Sequence, residues 1–162
     1  PDPDDENWLV VGENRYYTQI YDGLRWMVTN SKEGTPLETT YEGKQPGENG
    51  YYYDAENKTS ACPEGWRLPN WDEALSLKEV IDADRDTESA RYWTSAESGA
   101  FAGQKANTWS NWGLEGMWRL ADRDGSKVCV MHSKASDNSF SVETGTTKTP
   151  RGFSVRCVRN RP

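Results

Sequence analysis

The sequence predicts one α+β domain of antiparallel strands, one main helix and long loops, and three observations point there. Its 162 residues fall within the roughly 100–200 residues of a single domain. Short apolar runs separated by turn dipeptides recur towards both ends of the chain, the pattern of hairpins. Between them lies one segment, Trp71 to Asp82, with helical spacing and a capping sequence. Hydrophobic residues make up only 34%, but 8 Trp, 8 Tyr and 3 Phe supply the large apolar surfaces that disordered chains lack. At a mean hydropathy of -0.97 no stretch approaches the ~18 apolar residues of a membrane-spanning helix. Nineteen Lys and Arg against twenty-six Asp and Glu give a net charge of -7, which repels a phosphate backbone and argues against nucleic acid as a partner.

The elements follow in order. Residues 1–7, from Pro1-Asp2-Pro3-Asp4-Asp5-Glu6 onward, read as a solvated spacer before a domain over residues 8–160. The start carries no Met, which fits a leader already removed. Trp8-Leu9-Val10-Val11 opens the ordered chain. Tyr16 to Ile20 then passes through the hairpin dipeptide Asp22-Gly23 into Leu24 to Val28, with Leu24, Trp26 and Val28 on one face. Ser31 to Asn49 is rich in Gly, Pro, Thr and Glu and reads as a surface loop. Asp54 to Ala61 holds one or two helical turns before the Cys62-Pro63 corner. Asn70 and Glu73 form a capping box, and Trp71, Ala74, Leu75, Leu77, Val80 and Ile81 give the helix its buried face. Arg91 to Ser95 reads as a strand and Gly99 to Gly116 as a long loop. Met117 to Ala121, Ser126 to His132, Ser139 to Glu143 and Gly152 to Val158 are strands, with turns at Asp124-Gly125, Asp137-Asn138 and Thr144-Gly145.

Three cysteines allow one disulfide and one thiol, and exclude a four-cysteine zinc site. Cys62 sits at a rigid corner and Cys157 in a terminal apolar run, both structural contexts, whereas Cys129 is the ordinary buried thiol of a strand. We therefore pair Cys62 with Cys157. Such a bridge closes a long loop, stabilises by about 4–5 kcal/mol on the chain-entropy account, and places the chain in an oxidising compartment.

Four segments carry a resemblance. Tyr17 to Met27, Cys62-Pro63-Glu64-Gly65-Trp66-Arg67-Leu68-Pro69, Tyr92-Trp93-Thr94-Ser95-Ala96-Glu97 and Gly152-Phe153-Ser154-Val155-Arg156-Cys157-Val158 together resemble, in order and spacing, the Fibrobacter succinogenes major paralogous domain. The likeness spans Trp8 to Asn160. It implies a C-type lectin-like fold with paired terminal strands and a long loop region for recognition. It also implies an exported bacterial chain, at the cell surface, associated with the outer membrane as a lipoprotein, or secreted. Cys62 and Cys157 occupy that family's paired positions, and Cys129 lies outside its pattern. Ser31 departs from it by standing where Leu usually follows the Trp-Met-x-x-Asn run, and Gly99 to Gly116 is richer in Trp than usual. No catalytic residues come with the resemblance.

Asn107-Thr108-Trp109-Ser110-Asn111-Trp112 is the best binding segment. The indoles of Trp109 and Trp112 can stack on sugar C–H surfaces while Asn107 and Asn111 bond hydroxyls, although two Trp can equally anchor a loop. Trp118 belongs to the core, and Arg119 beside it is the exposed residue able to reach a ligand. Arg151, Arg156, Arg159 and Arg161 form a basic end, able to pair with Asp2 to Glu6 but read here as solvated. Asp82, Asp84 and Asp86 have the odd spacing of a calcium loop, but Thr87 and Trp93 occupy the positions that need Gly and Glu. These carboxylates, or Asp122 and Asp124, leave calcium as the one open cofactor, against the plainer role of solvated turn residues. No Glu-Pro-Asn or Gln-Pro-Asp tripeptide is present. His132 is three residues from Cys129, yet strand alternation puts them on opposite faces. Nucleophilic-serine and phosphate-loop motifs are absent, and one His cannot build a common zinc site. Formylglycine-generating enzymes have a related fold but need a reactive cysteine pair. The sequence thus predicts a non-catalytic exported recognition domain. Its expected ligand is a glycan; the alternatives are a surface protein bound by an adhesin, or a structural subunit of a surface fibre or lipoprotein assembly.

Overall fold

A computed structural model of the chain describes residues 4–37, 39, 50–94, 104–105, 109–110, 115–123, 128–134, 136, 139–145 and 152–159. It is an α+β arrangement of antiparallel sheets with two helices. Strand β1 (Trp8–Val11) pairs with β2 (Asn14–Tyr21), which turns through Asp22-Gly23 into β3 (Leu24–Met27). Both turn residues have positive φ, 49° and 78°, the conformation that favours Asp-Gly in a two-residue hairpin. After a 3-10 turn at Lys58–Ala61 come β4 (Trp66–Arg67), α1 (Trp71–Ala83) and α2 (Glu88–Thr94). A short hairpin of β5 (Gln104–Lys105) and β6 (Trp109–Ser110) precedes the sheet of β7 (Glu115–Arg119), β8 (Val128–Lys134) and β9 (Ser139–Gly145). Strand β10 (Val158–Arg159) returns to the first sheet, whose order is β1-β2-β3-β10-β4.

Alternation along the first sheet sends side chains into two cores. Tyr17, Tyr21, Leu24 and Trp26 join Leu77, Ile81, Trp93, Trp118, Met131 and Phe140 on one face. Tyr16 and Met27 join Tyr53, Leu68, Val155 and Cys157 on the other. Trp93 is the hub of the larger core, meeting Trp26 at 5.6 Å, Trp118 at 5.1 Å and Phe140 at 6.0 Å, all edge-on. Each such pair contributes about 0.5–1.5 kcal/mol beyond area burial.

The run 152–159 ties the structure together. Phe153 exchanges two backbone bonds with Tyr53, Ser154 accepts from Arg119 N, Val155 from Ser31 N and Cys157 from Met27 N. Cys157 also forms the expected disulfide with Cys62, 95 residues away, and Cys129 is a buried free thiol. Among the described residues no helix is long and apolar enough to cross a membrane.

Helix α1 starts where expected, with both bonds of the Asn70/Glu73 capping box. Glu73 also receives a two-pronged bond from Arg67 at 2.7 Å on each oxygen, locking β4 to the helix start. Ala74, Leu77 and Ile81 are buried, whereas Leu75 and Val80, expected inside, are partly exposed.

Other expectations change. Residues 91–94 are helical, because Thr87 caps α2 through Ala90 N and helical spacing delivers both Ala90 and Trp93 to the core. Ser31 is no surface residue: it is fully buried, with its hydroxyl on Ala61 O at 2.6 Å. Residues 5–7 are not a free spacer, since Asp5 accepts from Asn7 and from Tyr17 Oη, and Asn7 O accepts Thr18 N. Thr144-Gly145 belongs to β9, and Glu115-Gly116 to β7. Arg156 is buried in the core instead of solvated. The turns expected at 124–125 and 137–138, and Arg151 and Arg161, lie outside the described residues.

Candidate functional site

Register builds a surface site on the first sheet. Ile20 lies opposite Arg25 and Arg159 opposite Trp66. The Val158 to Trp26 register carries Arg159 opposite Arg25. Directly opposed residues share a face, so Ile20, Arg25, Arg159 and Trp66 form one row across β2, β3, β10 and β4. A cleft of about 250 Å³ opens along it, with Trp8, Leu9 and Trp66 as apolar lining and Glu6, Asn7, Thr18, Arg25 and Arg159 as polar lining. Arg25 Nη1 donates to Asn7 Oδ1 and Thr18 Oγ1, both at 2.9 Å. Thr18 in turn donates N and Oγ1 to Asn7 O. The Asn7 corner is fixed by Asp5, whose carboxyl is held below its ordinary value chiefly by the Asn7 backbone N–H and by Tyr17. Trp8 stands edge-on to Tyr17 at 5.0 Å, under the Arg15 guanidinium at 4.5 Å.

The segment favoured from sequence is only partly visible. Trp109 lies in β6 with its backbone paired to Lys105, its side chain outside the described residues together with Asn107, Asn111 and Trp112. Arg119, expected at the surface, is only 2% exposed. Ser154 bridges to Trp118 and covers this end of β7, and the Arg119 guanidinium lies 4.9 Å from the Phe153 ring. Burial pulls its pKa down, with Asp122 and Asp54 opposing. Arg119 is a core cation and does not reach an outside ligand.

His132 projects from the face of β8 opposite Cys129, as alternation requires, and Cys129 belongs to the core. Its Nδ1 meets Glu143 Oε2 and its Nε2 meets Glu115 Oε1, each at 2.7 Å, making a bridge over β7, β8 and β9. Both ring nitrogens are engaged, which leaves none for a general base or metal ligand. Asp82 pairs with Lys78 and Arg85, Asp84 accepts Asp86 N at 3.0 Å and Asp122 binds Lys58 at 2.6 Å. Among the described residues no three His, Cys, Asp or Glu groups are arranged to hold a metal; Asp124 lies outside them.

Sequence reasoning missed Asn7, Thr18, Arg25, Trp66 and Arg159 as a group. The only local signal was Arg25, a charge inside an apolar strand run. Compared with family models, with curated proteins and with solved structures, the chain has no match.

Proposed function

We propose that the chain is an exported, non-catalytic recognition domain of the C-type lectin-like type, akin to the Fibrobacter succinogenes major paralogous domain, that binds carbohydrate. The observation carrying this is the cleft, in which Trp8 and Trp66 lie beside Asn7, Thr18, Arg25 and Arg159. Indole surface against sugar C–H groups, with amide, hydroxyl and guanidinium groups for the hydroxyls, is the mixture a saccharide site needs. The Cys62–Cys157 bridge supports an oxidising, extracytoplasmic location. Cys129 is a buried thiol and the one cysteine outside the disulfide, so no second thiol is available for paired-cysteine chemistry.

The test is a glycan screen of the purified chain, with calcium and with a chelator, alongside Trp66→Ala and the Trp109→Ala, Trp112→Ala double variant. Loss in Trp66→Ala assigns binding to the cleft, and loss in the double variant assigns it to the loop. Absence of any glycan bound by the wild type overturns the proposal. A second reading, a subunit of a surface assembly, is favoured by Val10, 61% exposed on the edge strand β1. Concentration-dependent self-association lost in Val10→Lys is its expected outcome.

A further inference from the structure

We propose that the Arg25–Arg159 pair makes this cleft a carboxylate subsite, so that on the carbohydrate reading above, on which this last step rests, the ligand is an acidic sugar. Like charges directly opposite one another on neighbouring strands destabilise a sheet. The register imposes that opposition on Arg25 and Arg159. In a chain with twenty-six acidic residues, counter-charges are plentiful. Yet among the described residues the partners of Arg25 are two uncharged oxygens, on Asn7 and Thr18, and no ion pair joins a carboxylate to Arg159.

The geometry of Arg25 sharpens the inference. Nη1 is the nitrogen used by Asn7 and Thr18. A guanidinium has five N–H donors in a fixed fork, so the Nε and Nη2 edge keeps three for a ligand. That edge is suited to two parallel bonds with a planar carboxylate. The neutral partners orient the cation without cancelling its charge, and Asn7 is itself anchored through Asp5. Glu6 on the lining sets one negative charge against two positive. Trp66, opposite Arg159, supplies the neighbouring apolar wall for a sugar ring. A cleft of about 250 Å³ lies just below the ~300–1,000 Å³ of small-molecule pockets, which suits one terminal residue of a chain better than an extended oligomer.

The full chain is titrated with acetate, oligogalacturonate, the matched neutral galactose oligomer and a sulfated galactan, followed by amide, Trp indole and Arg side-chain NMR. Expected results are shifts at Arg25 Nε and the Trp66 indole with acetate and oligogalacturonate, and at least tenfold weaker binding of the neutral oligomer. Arg25→Gln and Arg159→Gln should each weaken oligogalacturonate at least tenfold. Removing the like-charge contact should leave the Arg159→Gln melting temperature at low salt equal to or above that of the wild type. Equal binding of neutral and acidic oligomers overturns the subsite and leaves the carbohydrate reading standing. Equal binding of the sulfated chain overturns carboxylate selectivity. Acetate shifts that vanish in Arg159→Gln, with no saccharide bound, would support the subsite while overturning the carbohydrate reading. A destabilised Arg159→Gln would make Arg159 structural and overturn the proposal.

Discussion

Asn30 and Arg156 illustrate how much one buried polar pair can organise. Asn30 Oδ1 accepts from Arg156 Nε at 2.8 Å and from Trp118 Nε1 at 2.9 Å. Arg156 Nη1 reaches the Tyr92 carbonyl at 2.8 Å, and the guanidinium lies 4.5 Å from the Trp93 ring and 4.9 Å from Trp118. Burial brings its pKa down to about 9, with Tyr21 opposing, so the group is charged at neutral pH. Arg156→Ala is expected to destabilise by about 3–4 kcal/mol through the cavity and the lost bonds to Asn30 and the Tyr92 carbonyl, measured by urea unfolding. The sequence placed Arg156 at a solvated end because charges are usually outside. Two rings and an amide distant in the chain overrule that preference, and nothing local to residues 152–158 announces them. The Glu143 carboxyl is pushed upward by burial, but Ser141, His132 and Lys134 outweigh this and hold it below its ordinary 4.5. Its stabilisation is therefore full above pH 4.5 and is lost as pH falls through the lowered native value. Because Glu143 is half exposed, the effect is modest. Glu143→Gln should show a shallower loss of urea midpoint than the wild type below pH 4.5.

At the scale of elements, local signals were readable and short ones were not. Helix α1 was legible because its cap and its spacing lie within thirteen residues. Helix α2 has seven, too few to display a helical period, and its Tyr-Trp-Thr favours strand by composition. The segment after β3 misleads in another way. Its Gly and Thr content suggests a loose surface loop, yet Gly34 and Gly50 are sites of close approach. Both have positive φ, and an added Cβ would lie 2.1 Å from Ser60 O at Gly34 and 2.5 Å from Asn30 Cβ at Gly50. Gly12 shares the positive φ but faces open space. Gly12→Ala should cost about 1 kcal/mol from backbone strain alone, and Gly34→Ala substantially more. Equal melting temperatures for the two variants would contradict this account.

For the molecule as a whole, the disulfide is the clearest long-range link. Cys62→Ser opens a 95-residue loop and should cost about 4–5 kcal/mol on the chain-entropy account. Cys129→Ser buries a hydroxyl in place of the core thiol and should cost less, about 1–3 kcal/mol. Calorimetry of both variants decides, and equal losses would count against the cross-link as the main staple. The pair was legible because two cysteines sit in structural contexts. The cleft was not, since its residues run from Glu6 to Arg159 and meet only because β10 enters between β3 and β4. Tryptophans and amides were visible in the composition; which of them line a cleft depended on pairing between distant segments.

That insertion also sets an order of events. Until residue 159 has emerged from the ribosome, β3 and β4 each present an unfilled edge, and unpaired edges invite pairing between chains. Contacts spanning nearly the whole sequence also slow folding. A nascent chain stalled before residue 152 would therefore be a candidate for chaperone capture, and a pulse of synthesis should reach protease resistance abruptly as the final strand slots home.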